Sequence, residues 1–368
     1  MLQWLRRHFH QPQWDLSAIT LPWDPGRPAI AEWLGEHLRE DGTALVDSAL
    51  RLPDDDLVQG QGGLRFAAGA RDGIAIFHTT GVADPEVTAE VLGLLWEVLA
   101  DGGLQRLPEL YAALVDHRTL SWVDELGGGL VMKAPDPARV YALGLILAHL
   151  SPDREAVKAG VALLGMLSLD DGDLSLLRLL GSHDEFTLYV AVALGAQVDD
   201  AEQELFALAG RTTGWGRIHA VLRIADSEDP RIRGWLLREG FQNRVMDRYL
   251  ALPCARGARL DEALAAARID DELLVGGGRI LAALVEADGP TPGMEVWEEG
   301  AAAALRWLGH VRPDGAPLAV VPTLAALVEA AGRAEPPWGR EAAATIGLQA
   351  HALLADARWE ARTREALG

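Results

Sequence analysis

The sequence predicts an all-α protein made of stacked helical hairpins, and three observations lead there. Leu and Ala dominate the 368 residues while strand formers are sparse, and straight-chain and small residues lose least on entering a helix. Good N-capping residues stand directly before prolines at Asp84-Pro85, Asp136-Pro137, Ser151-Pro152 and Asp229-Pro230. A proline at the first helical position costs nothing, because its missing N–H would have no partner there. Between these starts, helical-period segments of ten to sixteen residues alternate with short Gly- or Asp-containing turns.

The totals narrow the class. A chain of this length can bury a large core, and length alone allows two ordinary domains. The formal net charge is −21, from 54 acidic against 33 basic residues. Such a chain repels phosphate backbones, so general nucleic-acid binding is not expected. It would instead steer a basic partner inward. Cys254 is the single cysteine, which excludes an internal disulfide and suits a reducing cytoplasm. The opening residues, MLQWLRRHFHQPQWD, lack the apolar core and cleavage site of a signal peptide. The longest apolar run, VYALGLILAHL, is too short to cross a bilayer, so no membrane association is expected.

Residues 1–60 read as a Trp/Pro-rich N-terminal arm with capping helices. Trp4, Trp14, Trp23 and Trp33 recur among Pro12, Pro22, Pro25 and Pro28. The rings are expected to cover one end of the core, with one or two helices between Pro28 and Leu52. Residues 61–368 read as the helical domain proper. Its first stretch, from Gln59 to Gly81, is glycine-rich but fits neither phosphate-loop spacing. A short hairpin turning at Asp72-Gly73 and a glycine-punctuated link between helices both remain open. Ser182 with Glu185 has capping-box spacing and predicts a helix start. After Glu298 the tail repeats the helical theme between prolines, which predicts a continued stack closed by a helical cap.

The segments DPEVTAEVLGLLWEVL, DREAVKAGVALLGML and EDPRIRGWLL carry a resemblance. They resemble the second helix of HEAT-type repeats, which opens on Asp-Pro, continues with Val/Ile-Arg/Lys and then runs rich in Ala and Leu. Asp229, Pro230, Ile232 and Arg233 stand at those positions, as do Asp153, Val157 and Lys158. The resemblance covers residues 84–270 and implies an α-solenoid of irregular HEAT-like repeats. It also implies that the Arg or Lys of one repeat pairs with an Asp of its neighbour. Each helical pair would hide its apolar face by stacking on the next.

Eight arginines fall between Arg217 and Arg256, in a strongly acidic chain. A helix over 215–225 would bury Ile218, Val221, Leu222 and Ala225, leaving His219 and Arg223 four apart on a more open face. A second helix would begin at Arg231, burying Ile232, Trp235 and Leu236. A third, from about Phe241, would expose Arg244 and Arg248. In a two-layer solenoid the first and third helices share a layer. Trp215, His219, Arg223, Asn243, Arg244 and Arg248 would then converge on one strip suited to an anionic group. The other reading is structural, because Asp226, Glu228, Asp229, Glu239 and Asp247 are near enough in sequence to neutralise many of these charges.

No catalytic signature emerges. The ten histidines are scattered, no HExxH or thiolate cluster occurs, and neither metal nor cofactor is expected. Asp170, Asp171 and Asp173 read as a capped inter-helix turn because the later ligands of a calcium loop are missing. His183, Asp184 and Glu185 are sequence neighbours that point different ways and form no relay. Cys254 reads as buried and inert. Glu298 and Glu299 are adjacent carboxylates with no spacing that defines a reaction. The expected function is therefore a non-enzymatic protein-interaction or scaffolding module. It would use the Arg/His strip to bind an acidic protein segment or a small anion. Two alternatives stand beside it: an acidic immunity-type inhibitor of a basic protein, and a HEAT-like glycosylase-type DNA-repair enzyme.

Overall fold

The computed structural model describes residues 20–40, 44–58, 65–100, 103–198 and 200–367. It is all-α: among the described residues there is no strand, only an isolated bridge between Leu38 and Leu45. The α-helices longer than four residues are α1 (Ile30–Glu36), α2 (Ala70–His78), α3 (Pro85–Leu99), α4 (Leu107–Asp116), α5 (Leu126–Lys133), α6 (Pro137–Leu150), α7 (Arg154–Leu164), α8 (Asp171–Gly181) and α9 (Thr187–Gln197). They continue as α10 (Ala201–Arg211), α11 (Trp215–Ile224), α12 (Pro230–Trp235), α13 (Arg248–Gly257), α14 (Asp271–Val285), α15 (Gly300–His310), α16 (Val321–Ala331), α17 (Arg340–Leu354) and α18 (Arg358–Leu367).

The Asp-Pro starts hold. Asp84 Oδ1 accepts from the N–H groups of Glu86 and Val87, at 3.0 and 3.2 Å. Asp136 accepts from Ala138 at 2.9 Å and Asp229 from Arg231 at 2.8 Å. The aspartates before α8 also cap as expected, Asp170 and Asp173 closing a reciprocal capping box. Two expected starts and one open turn reading differ. Ser151 terminates α6, and α7 begins after Asp153, whose carboxylate is drawn away by Arg27 and Tyr111. Ser182 terminates α8, and Glu185 caps nothing because Lys158 and Arg154 hold it. Asp72-Gly73 lies inside α2 and not in a hairpin turn.

The chain forms two compact units, residues 1–219 and 220–368, and the division falls within α11. The sequence instead places a boundary near residue 60; α1 packs on α6 and α8, inside the first unit. That unit stacks sequence-adjacent helices: α3 on α4, α6 on α7, α8 on α9, α9 on α10. An apolar cluster of this unit joins Trp23, Leu95, Leu110, Leu126, Leu143 and Ile146. Trp23 sits 4.8 Å from Tyr111, ring centre to ring centre, so this ring covers core as expected. Trp4 and Trp14 lie outside the described residues.

In the second unit α14 is the hub, in contact with α13, α15 and α16. Its sequence, DELLVGGGRILAALV, explains how so many neighbours fit. A Cβ at Gly276 would stand 2.2 Å from the carbonyl oxygen of Leu237. At Gly278 it would stand 2.7 Å from the Trp307 ring. Trp307 is fully buried and donates its Nε1–H to the Leu274 carbonyl at 2.7 Å. Leu237 itself belongs to a π-helical turn, Leu236–Gly240, which follows α12 directly.

Gly276→Ala forces a methyl group against backbone that cannot swing aside. It is expected to cost about 3 kcal/mol, read as a lower urea midpoint. Gly309→Ala, in α15, meets nothing within 4 Å. It is expected to leave stability unchanged or raise it by about 0.5 kcal/mol.

Candidate functional site

The arginines of the sequence-predicted strip have mostly found work inside the fold. Arg217 Nε donates to the Ala209 and Thr212 carbonyls. Arg231 pairs with Asp229, Arg233 with Glu228, and Arg238 with Asp270 at 2.6 Å. Arg256 donates to the Val296 carbonyl.

The six named strip residues separate into three groups. Trp215 and His219 belong to the first unit and are buried, at 4% exposure each. Their rings lie 6.0 and 6.4 Å from Phe77. The sequence expected an open face for His219, but α11 buries Trp215, Ile218, Ala220, Val221 and Ile224 as well. A helix covered on several sides has no such face. Asn243 and Arg248 are also structural. The Asn243 side chain accepts from the N–H groups of Val245 and Met246 and donates to the carbonyls of Phe241 and Met246. It organises a loop where a third helix was expected. Helix α13 starts only at Arg248, because the π-helical turn ends the preceding helix at Gly240. Arg223 and Arg244 are the two that stay exposed.

Arg248 shows why positive charge gathers here. Its guanidinium is buried and donates to the carbonyls of Ala283 and Leu284 at 2.6 Å each, and to Thr291 at 3.1 Å. Arg333 Nη1 donates to the Val285 carbonyl at 2.6 Å. Together they close the C-terminal end of α14, where four carbonyls lack helical partners and the dipole is negative. A Cβ at Gly293 would stand 2.0 Å from Arg248 Nη2, so only glycine lets the guanidinium through. Burial lowers the Arg248 pKa, an effect opposed by Glu295 and Glu286.

A groove of about 810 Å³ opens beside this end of α14, wholly within the second unit. Ala282, Ala283, Ala319 and Ala326 give it a shallow apolar floor. Arg279 and Arg333 stand at its edge with Asp247 and Glu329. Arg279 donates to Asp247 at 2.6 Å and to Gln242 at 2.7 Å, with its guanidinium 5.4 Å from the Phe241 ring centre. Arg333 meets Glu329 at 3.1 Å. The Glu329 side chain is 76% exposed, so that pair is easily exchanged for another carboxylate. A smaller hollow of about 440 Å³ carries Glu298 and Glu299, opposite Arg256 and Arg259.

What the sequence missed is a buried ionic cluster in the first unit. Lys158 is fully buried, and its ammonium meets Glu185 at 2.7 Å, Asp72 at 2.8 Å and Glu155 at 2.9 Å. Arg154 grips Asp54 at 2.7 Å, pairs with Asp55, and lies 3.6 Å from Glu185. Glu185 also accepts from the Gly69 N–H, and Glu155 from Thr119. Asp72 shares Oδ2 between Lys158 and the Tyr189 hydroxyl, while its Oδ1 has no hydrogen-bond partner among the described residues. Burial alone would lower the Lys158 ammonium, but the facing carboxylates outweigh it and hold it well above its ordinary value. Burial would raise Glu185, yet Lys158 and Arg154 hold it down at about 2. The signal in the sequence was the HEAT-like Asp153–Val157–Lys158 pattern. Glu155 is three positions from Lys158, but Asp72 and Glu185 are 86 and 27 positions away, beyond the reach of any local motif.

His183 donates from Nε2 to the Leu50 carbonyl, and its Nδ1 accepts from the Glu185 N–H. Burial lowers its pKa, so the ring is neutral and makes no relay with Asp184. Asp184 instead accepts from the N–H groups of Gly214 and Gly216. Cys254 is buried, and burial raises its thiol far above the range where a thiolate forms. Among the described residues no group of three or more His, Cys, Asp or Glu side chains could hold a metal, and no helix is long and apolar enough to cross a membrane. No family model, curated protein or solved structure matches the chain.

The cluster sets an acid limit on the fold. A carboxyl depressed in the folded state stabilises fully above its unfolded value of 4.5, and the contribution fades as pH falls from there to about 2. Stability is expected to drop across that window, and Glu185→Gln is expected to flatten the drop while lowering stability at neutral pH. Thermal melts from pH 6 to pH 2.5 measure both. Lys158→Met takes the ammonium from buried Asp72 and Glu185 and from partly buried Glu155, and is expected to cost about 3–5 kcal/mol.

Proposed function

We propose that the chain is a non-enzymatic scaffold of irregular HEAT-like helical repeats that holds an acidic segment of another protein in the groove of its second unit. The pairing of sequence-adjacent helices supports the repeat reading. The observation that carries the binding reading is the groove itself: an alanine floor edged by two guanidiniums, Arg333 paired with the exposed Glu329 and Arg279 with the partly covered Asp247. A ligand carboxylate that replaces Glu329 on Arg333, or joins Asp247 on Arg279, gains forked charge-assisted hydrogen bonds. Apolar side chains of the same segment would rest on Ala282, Ala319 and Ala326. Of the strip residues named from the sequence, Arg244 and Arg223 are the accessible cations that would extend the contact. Trp215, His219, Asn243 and Arg248 would hold the surroundings in place.

A fluorescein-labelled decapeptide with two leucines among glutamates serves as probe. Its anisotropy is expected to rise on titration with the full chain and to fall back with added salt. Arg279→Ala is expected to weaken binding about tenfold, the value of one good charge pair. Circular dichroism checks that the variant keeps its helices. An Arg279→Ala chain that binds the peptide as tightly as the parent sinks this reading.

A further inference from the structure

The eight-residue helix α5 has the sequence LGGGLVMK and presents two unlike faces. Its inner face is anchored. Leu126 is fully buried, and a Cβ at Gly129 would stand 2.5 Å from the ring of Trp96 on α3. Its outer face is apolar and bare. Val131 is 83% exposed and Met132 is 82% exposed. No other large apolar side chain among the described residues approaches these values; Leu348 follows at 74%. Side chains four apart on a helix lie one above the other, so Val131 stands over Gly127 and Met132 over Gly128. A Cβ at Gly127 would lie 3.9 Å from Cε of Met166, itself 48% exposed. Met166, Gly127 and Val131 therefore form one continuous apolar surface, with Gly128 and Met132 alongside. At Gly128 a Cβ would meet nothing within 4 Å. The result is a notch of bare backbone between a valine and two methionines. Flexible, polarizable methionines suit the reception of a partner's apolar side chains.

The charges around the notch decide what fits it. Asp124 and Glu125, both exposed, stand immediately before α5 in a short 3-10 turn. Asp136 follows α5 as the cap of α6. Lys133 is the single basic residue between Asp124 and Asp136. We propose that this surface docks a basic amphipathic helix of a partner protein, its apolar face on Val131, Met132 and Met166 and its Lys or Arg residues against Asp124, Glu125 and Asp136. A second copy of a chain carrying −21 would bring like charges together. An anionic lipid surface would be repelled for the same reason. A helix laid into a groove along i, i+3, i+4 and i+7 anchors is a standard mode of recognition, and basic flanks add speed of encounter. This site lies in the first unit and is independent of the groove of the second.

An 18-residue fluorescein-labelled peptide of leucines and lysines, with the leucines on one helical face, is the probe. The full chain is expected to raise its anisotropy. The double variant Val131→Ser/Met132→Ser keeps every charge and alters only exposed positions. It is expected to weaken the peptide by at least about tenfold with an unchanged melt. The same peptide with glutamates for lysines is expected not to bind. Equal affinity of parent and double variant for the lysine peptide overturns the proposal, since attraction to acidic surface would then suffice. So does concentration-dependent dimerisation in sedimentation that the double variant abolishes, which assigns the surface to a second copy. A tenfold gain in peptide affinity when Arg6 and Arg7 become Glu also overturns it, because the chain's own first residues would then be the occupant.

Discussion

One ammonium group ties together three stretches of the first unit. Lys158 reaches three carboxylates supplied by α2, by its own helix and by the turn before α9. Arg154, one turn earlier on α7, ties in Asp54 and Asp55 from the segment that precedes α2. Two adjacent cations on one helix thus gather stretches of chain that share little apolar surface. Burying such charges is costly, and the cost is offset only when each has its partners in place. The arrangement is therefore selective: a misplaced α2 would leave Lys158 or Asp72 unpaired in the interior.

The second unit solves a different problem. Its hub helix must admit neighbours on several sides and still end inside the structure. Three glycines admit the neighbours, and two guanidiniums close the end. Arg248 and Arg333 come from opposite sides of α14 in sequence, so that helix terminus joins segments before and after it. The local excess of arginine in an acidic chain has its main cause here. Cations are spent on carbonyl groups at helix ends and on aspartates at helix starts.

Local features were legible in the sequence and long-range ones were not. Asp84, Asp136 and Asp229 cap helices as their position before proline implies, because a cap needs only two or three following residues. The all-α class followed from composition for the same reason. Ser182 and Glu185 had the right spacing for a cap, yet Glu185 is held by Lys158, Arg154 and the Gly69 N–H, all distant in sequence. His219 was placed on an open face from the periodicity of one helix alone. What covers that face, Phe77, lies 142 positions away. Arg248 was read as a ligand-seeking group because nothing nearby in sequence shows the carbonyls of residues 283 and 284. Arg244 sits on a loop whose course is set by Asn243, with Arg279, which the sequence did not single out, beside it, and loop geometry is the least readable part of a sequence.

The π-helical turn at Leu236–Gly240 carries one more residue per hydrogen-bonded ring than its α-helical neighbours. That surplus residue sets the angular phase of the chain as it leaves toward Phe241. Each residue contributes about 100° of rotation. Shortening this turn by a single position would swing the Phe241 ring out from under Arg279 and carry the Leu237 carbonyl off Gly276. For descendants of this chain, substitutions at those five positions are thus open to compensation one at a time. A deletion there would have to be answered by a matching gain elsewhere in the same turn.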